Sequence, residues 1–191
     1  QKAGTEIIET NTFNNVLRYG IGEHFEVSSV FDYVTIDNDQ SGTDNFQLGA
    51  RYNWQFDNQT LNALGLQYRT RFTGDGDFKR ENQGHIFLIA LGFENIDRFT
   101  YGINMSLQNV GDDNDTQAFC TINLSYSIND KTSFFIEPYF LVINERQDNF
   151  INTGFGYNLT DDLLVDISAG REIEEEENNF VSFGFSIRRM P

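Results

Sequence analysis

The stretch "LGARYNWQFDNQTLNALGLQYRTRF", residues 48–72, decides how the rest of the chain is read. Taken two residues at a time, Leu48, Ala50, Tyr52, Trp54 and Phe56 share one face, and Gly49, Arg51, Asn53 and Gln55 share the other. After a turn at Asp57-Asn58-Gln59 the alternation resumes, with Leu64, Leu66, Tyr68 and Phe72 set against Gly65, Gln67, Arg69 and Arg71. A period of two is the strand period, so this is a hairpin with one greasy face and one charged face. If the aromatic face is inside, the chain is a soluble sandwich or barrel. If the arginine face is enclosed, the chain sits in a membrane.

The same alternation recurs along the chain with no helical stretch between. Strands are expected near 5–20, 25–36, 44–56, 60–73, 84–95, 98–110, 116–128, 132–144, 149–159, 162–173 and 179–189, each longer than the five or six residues usual in soluble sheets. Short connections are expected at 20–23, 57–59, 95–97, 129–131 and 160–162. They alternate with longer polar ones at "DNDQSGTDN", "GDGDFKREN", "GDDNDT", "ERQD" and "EIEEEENN". Short turns at one end and long loops at the other mark an outer-membrane up-and-down barrel.

The two faces point the same way. Opposite the aromatics lie Arg18, Glu26, Asp32, Arg51, Gln67, Arg69, Arg71, Glu137 and Asp166, the candidates for lining an enclosed interior. Glycines such as Gly49, Gly65, Gly102, Gly154, Gly156, Gly170 and Gly184 are interleaved with them. Glycine weakens an exposed strand, whereas inside a closed barrel a small neighbour makes room for a large one. The expected fold is therefore all-β: an antiparallel up-and-down transmembrane β-barrel of about twelve strands, eleven of them read directly, forming a single domain over residues 1–191.

Composition agrees. The 191 residues carry 13 Lys+Arg against 29 Asp+Glu, a net charge of −16, which argues against nucleic acid as a partner. No apolar run is long enough for a transmembrane helix. A mean hydropathy of −0.45 is compatible with strands that alternate. Cys120 is the single cysteine, so no internal disulfide forms. His24 and His85 stand apart with no nucleophile or metal spacing around them, and no catalytic set, cofactor or metal centre is expected. The acidic loops read as solvated turns, and "EIEEEENN" as a run extending into solvent, where divalent cations could bridge it to lipopolysaccharide.

Two segments, "NNVLRYGIGEHFEVSSVFDYV" (14–34) and "SINDKTSFFIEPYFLVINERQDNFINTGFGYNLTDDLLVDISAG" (127–170), resemble the outer-membrane transporter-like family named for the meta-pathway of phenol degradation, in a Bacteroidetes-like version. The likeness extends to "FVSFGFSI" near the end. It implies a barrel in the outer membrane of a Gram-negative bacterium that passes small, often aromatic or apolar, compounds. Members of that family carry one more strand ahead of "LRYG" and end on an aromatic residue, where this chain ends "FSIRRMP". The twelfth strand is thus expected to be missed by the reading, to lie beyond the chain, or to come from a partner.

Three functions remain open from the sequence: a small-solute channel without covalent chemistry, an accessory barrel subunit of a larger outer-membrane complex, and a soluble ligand-binding barrel. The expected partners are outer-membrane lipid and lipopolysaccharide, with other outer-membrane proteins in the second case.

Overall fold

Residues that alternate in the sequence are the residues that pair. The computed structural model describes residues 8–37, 39–57, 60–93, 96–109, 116–143, 146–174 and 178–187. Among them are eleven strands: β1 (Thr10–Ile21), β2 (Phe25–Ile36), β3 (Gln40–Gln55), β4 (Leu61–Arg71), β5 (Gly84–Phe93), β6 (Phe99–Asn109), β7 (Thr116–Ser127), β8 (Thr132–Ile143), β9 (Arg146–Asn158), β10 (Leu163–Glu172) and β11 (Asn179–Ile187). They lie in one sheet in chain order, each beside its sequence neighbours. The strands run from 9 to 16 residues, the length a tilted strand needs to cross the hydrocarbon layer. No helix of the described residues is long and apolar enough to cross a membrane, which says nothing about strands.

The first hairpin holds an unbroken antiparallel register from Thr10 opposite Ile36 to Ile21 opposite Phe25. Its turn places Gly22 at φ 67°, a left-handed conformation that suits glycine. β8, β9, β10 and β11 continue the meander in equally regular pairs.

β3 begins at Gln40, earlier than the alternation indicates, because residues 40–43 pair with β2 beyond a register shift. "DNDQSGTDN" is thus mostly strand, and the β2–β3 connection shrinks to residues 37–39, closed by Asp39 N–H donating to Ile36 O at 3.0 Å. "ERQD" is likewise taken up largely by β9, which begins at Arg146. Two of the five connections expected to be long are therefore short. A third, "GDDNDT" (111–116), lies outside the described residues except for Thr116, which opens β7; residues 1–7, 38, 58–59, 94–95, 110, 144–145, 175–177 and the terminal "RRMP" are outside them too.

Burial answers the opening question. Trp54 is 37% exposed and Phe87 59%, and Phe31, Tyr52, Leu66, Tyr68, Phe155 and Ile167 are exposed with them. The buried positions are instead largely polar: Gln47 and Gln67 at 6% each, with Ser28, Thr121 and Ser168. Among the described residues, burial of apolar side chains is confined to Val30, Val34, Ile86 and Ala90. Burying a large apolar side chain is worth about 1.5–3 kcal/mol, so a face of this size turned to water would forfeit far more than a domain's net stability. The face belongs against lipid. Rings pair along it, with Phe46 on Phe72 at 5.2 Å, Phe93 on Tyr101 at 4.9 Å and Phe134 on Phe155 at 5.3 Å.

By packing, the chain divides into two compact units: residues 1–52, 66–87 and 108–116, and residues 53–65, 88–107 and 117–191. In the first, glycine makes room for arginine. A Cβ on Gly49 would stand 2.5 Å from Arg69 Cγ and 2.7 Å from Tyr68 O. In the second, a Cβ on Gly184 would stand 2.5 Å from the Asp166 carboxylate. Gly49→Ala is expected to lower stability in detergent by about 1–3 kcal/mol. Gly20→Ala, at a strand position with nothing within 4 Å of the new Cβ, should stay within about 0.5 kcal/mol of the parent. Urea unfolding of both variants in micelles tests the pair.

Candidate functional site

The polar face of β1–β4, within the first unit, gathers seven of the nine candidate residues. Pairing sets their order. Arg18 stands opposite Ser28, which stands opposite Gly49, and Arg69 packs its stem over Gly49. One row nearer the β1–β2 turn, Glu26 stands opposite Arg51. Gln67 is buried and its Nε2 donates to Ser28 Oγ at 3.4 Å.

Toward the β2–β3 connection the arrangement changes at a β-bulge. Asp32 pairs with Asn45 and Tyr33 with Thr43, which leaves Asp44 as the extra residue of β3. A bulge re-aims side chains, and here it brings Asp44 onto the face already occupied by Asn45. Arg71 Nη2 reaches Asp44 Oδ2 at 3.2 Å and Arg80 Nη2 reaches Oδ1 at 2.5 Å. Arg80 Nη1 also donates to the Asp44 carbonyl at 2.6 Å. Asp32 accepts from Asn14 Nδ2 and from Asn45 Nδ2, the latter at 2.6 Å, and Asn45 accepts from Gln47 Nε2 at 2.7 Å.

Arg80 arrives on the β4–β5 connection, residues 72–83, which folds back on β3. Asp75 accepts from Thr43 N–H at 2.6 Å and Asp77 from Ser41 N–H at 2.9 Å. Gly74 and Gly76, at φ 72° and 59°, turn this segment tightly enough that a Cβ on Gly42 would meet Asp75 O at 2.5 Å. The carboxylates of "GDGD" stay exposed to solvent, as expected, and also accept from the β3 backbone. No group of three or more possible metal ligands occurs among the described residues.

The tier nearer the β1–β2 turn is less well matched. Arg18 Nε lies 4.0 Å from Glu26 Oε1, the ion pair of that tier. Arg51 and Arg69 have no carboxylate within ion-pair distance among the described residues, and Arg69 makes one bond, from Nη1 to Gln47 Oε1 at 3.3 Å. The Nε atoms of Arg51, Arg69 and Arg71 and the Oε1 of Glu26 are buried without a hydrogen-bond partner.

Glu137 and Asp166 belong to the second unit. Glu137 accepts from Asn123 Nδ2 at 3.2 Å, and Asp166 lies over Gly184. The start of the acidic run is also not free in solvent: Glu172 is 3% exposed, accepts from Asn178 Nδ2 at 2.5 Å and lies 3.9 Å from Arg146. His85 Nδ1 bonds Tyr68 OH at 2.8 Å, an interaction between neighbouring strands.

The family model described as "Putative MetA-pathway of phenol degradation" matches residues 4–188. The chain belongs to that family. The outer-membrane location expected from the faces therefore holds, and solved structures share the fold. The chain resembles the NanC porin at 13% identity and a TM-score of 0.69, covering 96% of this chain and 100% of that one. It resembles the KdgM porin at 11% identity and a TM-score of 0.72, covering 96% and 99%. It resembles the COG4313 outer membrane channel from Pseudomonas putida F1 at 11% identity and a TM-score of 0.65, covering 91% and 79%. No curated protein matches in sequence. Identities this low speak for the fold alone: an outer-membrane β-barrel of the porin and channel kind.

Asp44 and Arg80 are functional-site neighbours that alternation could not find. Asp44 is invisible because a bulge breaks the period, and Arg80 because it sits in a connection. Asp44→Asn is expected to leave Arg71 and Arg80 without their carboxylate and to lower stability by about 1–3 kcal/mol. Asp77→Ala should leave the strands intact while raising the rate of native-state trypsin cleavage after Lys79. An unchanged rate would show that the segment is not held by this contact.

Proposed function

We propose that this protein is a passive channel of the outer membrane for small solutes, aromatic compounds among them, with the polar face as the lining of its pathway and no covalent step. The observation that carries this reading is the inverted burial: the aromatic face is exposed, and the buried positions include Ser28, Gln47, Gln67, Thr121 and Ser168, with half-buried arginines beside them. A face of that kind can solvate a passing polar or charged molecule, which an apolar core cannot. Support also comes from the fold's relatives, two called porins and one an outer membrane channel, one of the porins also solved in complex with disordered oligogalacturonate. The family's description, with its phenol degradation pathway, favours small aromatic compounds.

The soluble ligand-binding alternative loses its footing, because such a barrel keeps its aromatics inside. Purified protein reconstituted in planar lipid bilayers is expected to give stepwise ohmic currents. Folded protein that inserts into bilayers and yields no current in molar salt would remove the channel.

A further inference from the structure

The two tiers of the first unit differ in charge balance, and the difference points to a ligand. In the tier at the bulge, two guanidiniums, Arg71 and Arg80, share Asp44, and Asp32 stands beside them with two amides bonded to it. In the other tier, Glu26, which pairs with Arg51 across the strands and lies 4.0 Å from Arg18, is the one carboxylate beside Arg18, Arg51 and Arg69 among the described residues. Three cations thus face one anion, in a chain whose acids outnumber its bases 29 to 13.

The surplus is not absorbed by other groups. Each guanidinium carries five N–H donors. Arg69 uses one on Gln47, and Arg51 makes neither a hydrogen bond nor an ion pair among the described residues. Like charges gathered beside buried, unbonded donors destabilise a protein unless an anion from outside completes them. A planar two-oxygen anion fits the fork of an arginine, accepting two parallel N–H bonds.

Resting on the channel reading, we propose that Arg51 and Arg69 form a binding site for the carboxylate group of a small organic acid, with Arg18 adding to the attractive field. Glu26 opposes binding and sets its strength: it screens the pair and keeps the ligand exchangeable. Gln47 and the glycine beneath Arg69 hold that side chain in place.

Isothermal titration of the purified protein in micelles tests this, with benzoate as probe and benzamide as its neutral counterpart of the same shape. Benzoate is expected to bind and benzamide not to. Arg51→Gln and Arg69→Gln should each weaken benzoate at least about tenfold. Glu26→Gln should strengthen it severalfold, an effect opposite in sign that does not depend on the arginine variants folding. Equal binding of benzoate and benzamide, an unchanged or weakened affinity in Glu26→Gln, or inorganic phosphate binding as tightly as benzoate would overturn the site. The same preparation measured in bilayers separates this proposal from the one beneath it. Current without benzoate binding leaves the channel and removes the site; benzoate binding without current leaves the site and removes the channel.

Discussion

Hydrocarbon offers no hydrogen bonds, so every backbone N–H and C=O that enters it must find a partner in the chain itself. That requirement dictates the strands, their length and their order. It also dictates the inversion of faces. With lipid outside, a large apolar side chain gains by pointing outward, and there is nothing left with which to fill a conventional core. No large side chain among the described residues is fully buried. What a soluble domain obtains from packing, this one must obtain from its backbone ladder and from polar contacts on the opposite face.

The same requirement explains why the strands were legible. A register error of one residue would move every apolar side chain to the wrong face, so the period of two is kept over ten or more residues at a time. Turn chemistry fixes the ends: Gly22, Asp37 and Asp97 take positive φ where the chain reverses. The early start of β3 was not legible. Ser41 and Thr43 are held in the strand by Asp77 and Asp75, more than thirty residues away, and no local pattern encodes that contact. Alternation within "QSGTDN" is also spoiled by the bulge, so a strand reads as a loop.

Which face a charge occupies follows from parity, but which acid meets which base follows from register and from bulges. Arg18, Glu26, Arg51, Gln67, Arg69 and Arg71 fall on the face that the sequence assigns them, and Asp32 joins them. Their partners are another matter. Asp44 lies one residue out of phase with Asn45, and only the bulge unites them. The parity that puts Glu137 and Asp166 on the polar face names no charged partner for them. Glu137 instead uses Asn123, one strand away, and Asp166 sits over glycine.

The pairing of Gly49 with Arg69 joins fold to function. Because no Cβ rises from Gly49, the Arg69 stem can occupy the space a side chain there would fill, while its Nη1 is held by Gln47. Long side chains ordinarily lose about 0.5–1.5 kcal/mol of rotamer freedom when a ligand immobilises them. Here much of that ordering is already complete in the folded sheet. A stem fixed at its base with unused donors at its tip is preorganised, and the same glycine that lets the strand accommodate arginine lowers the cost of its use. A purely stabilising arginine would be expected to turn those donors toward a carboxylate, as Arg71 and Arg80 do at Asp44 a short distance along the same strands.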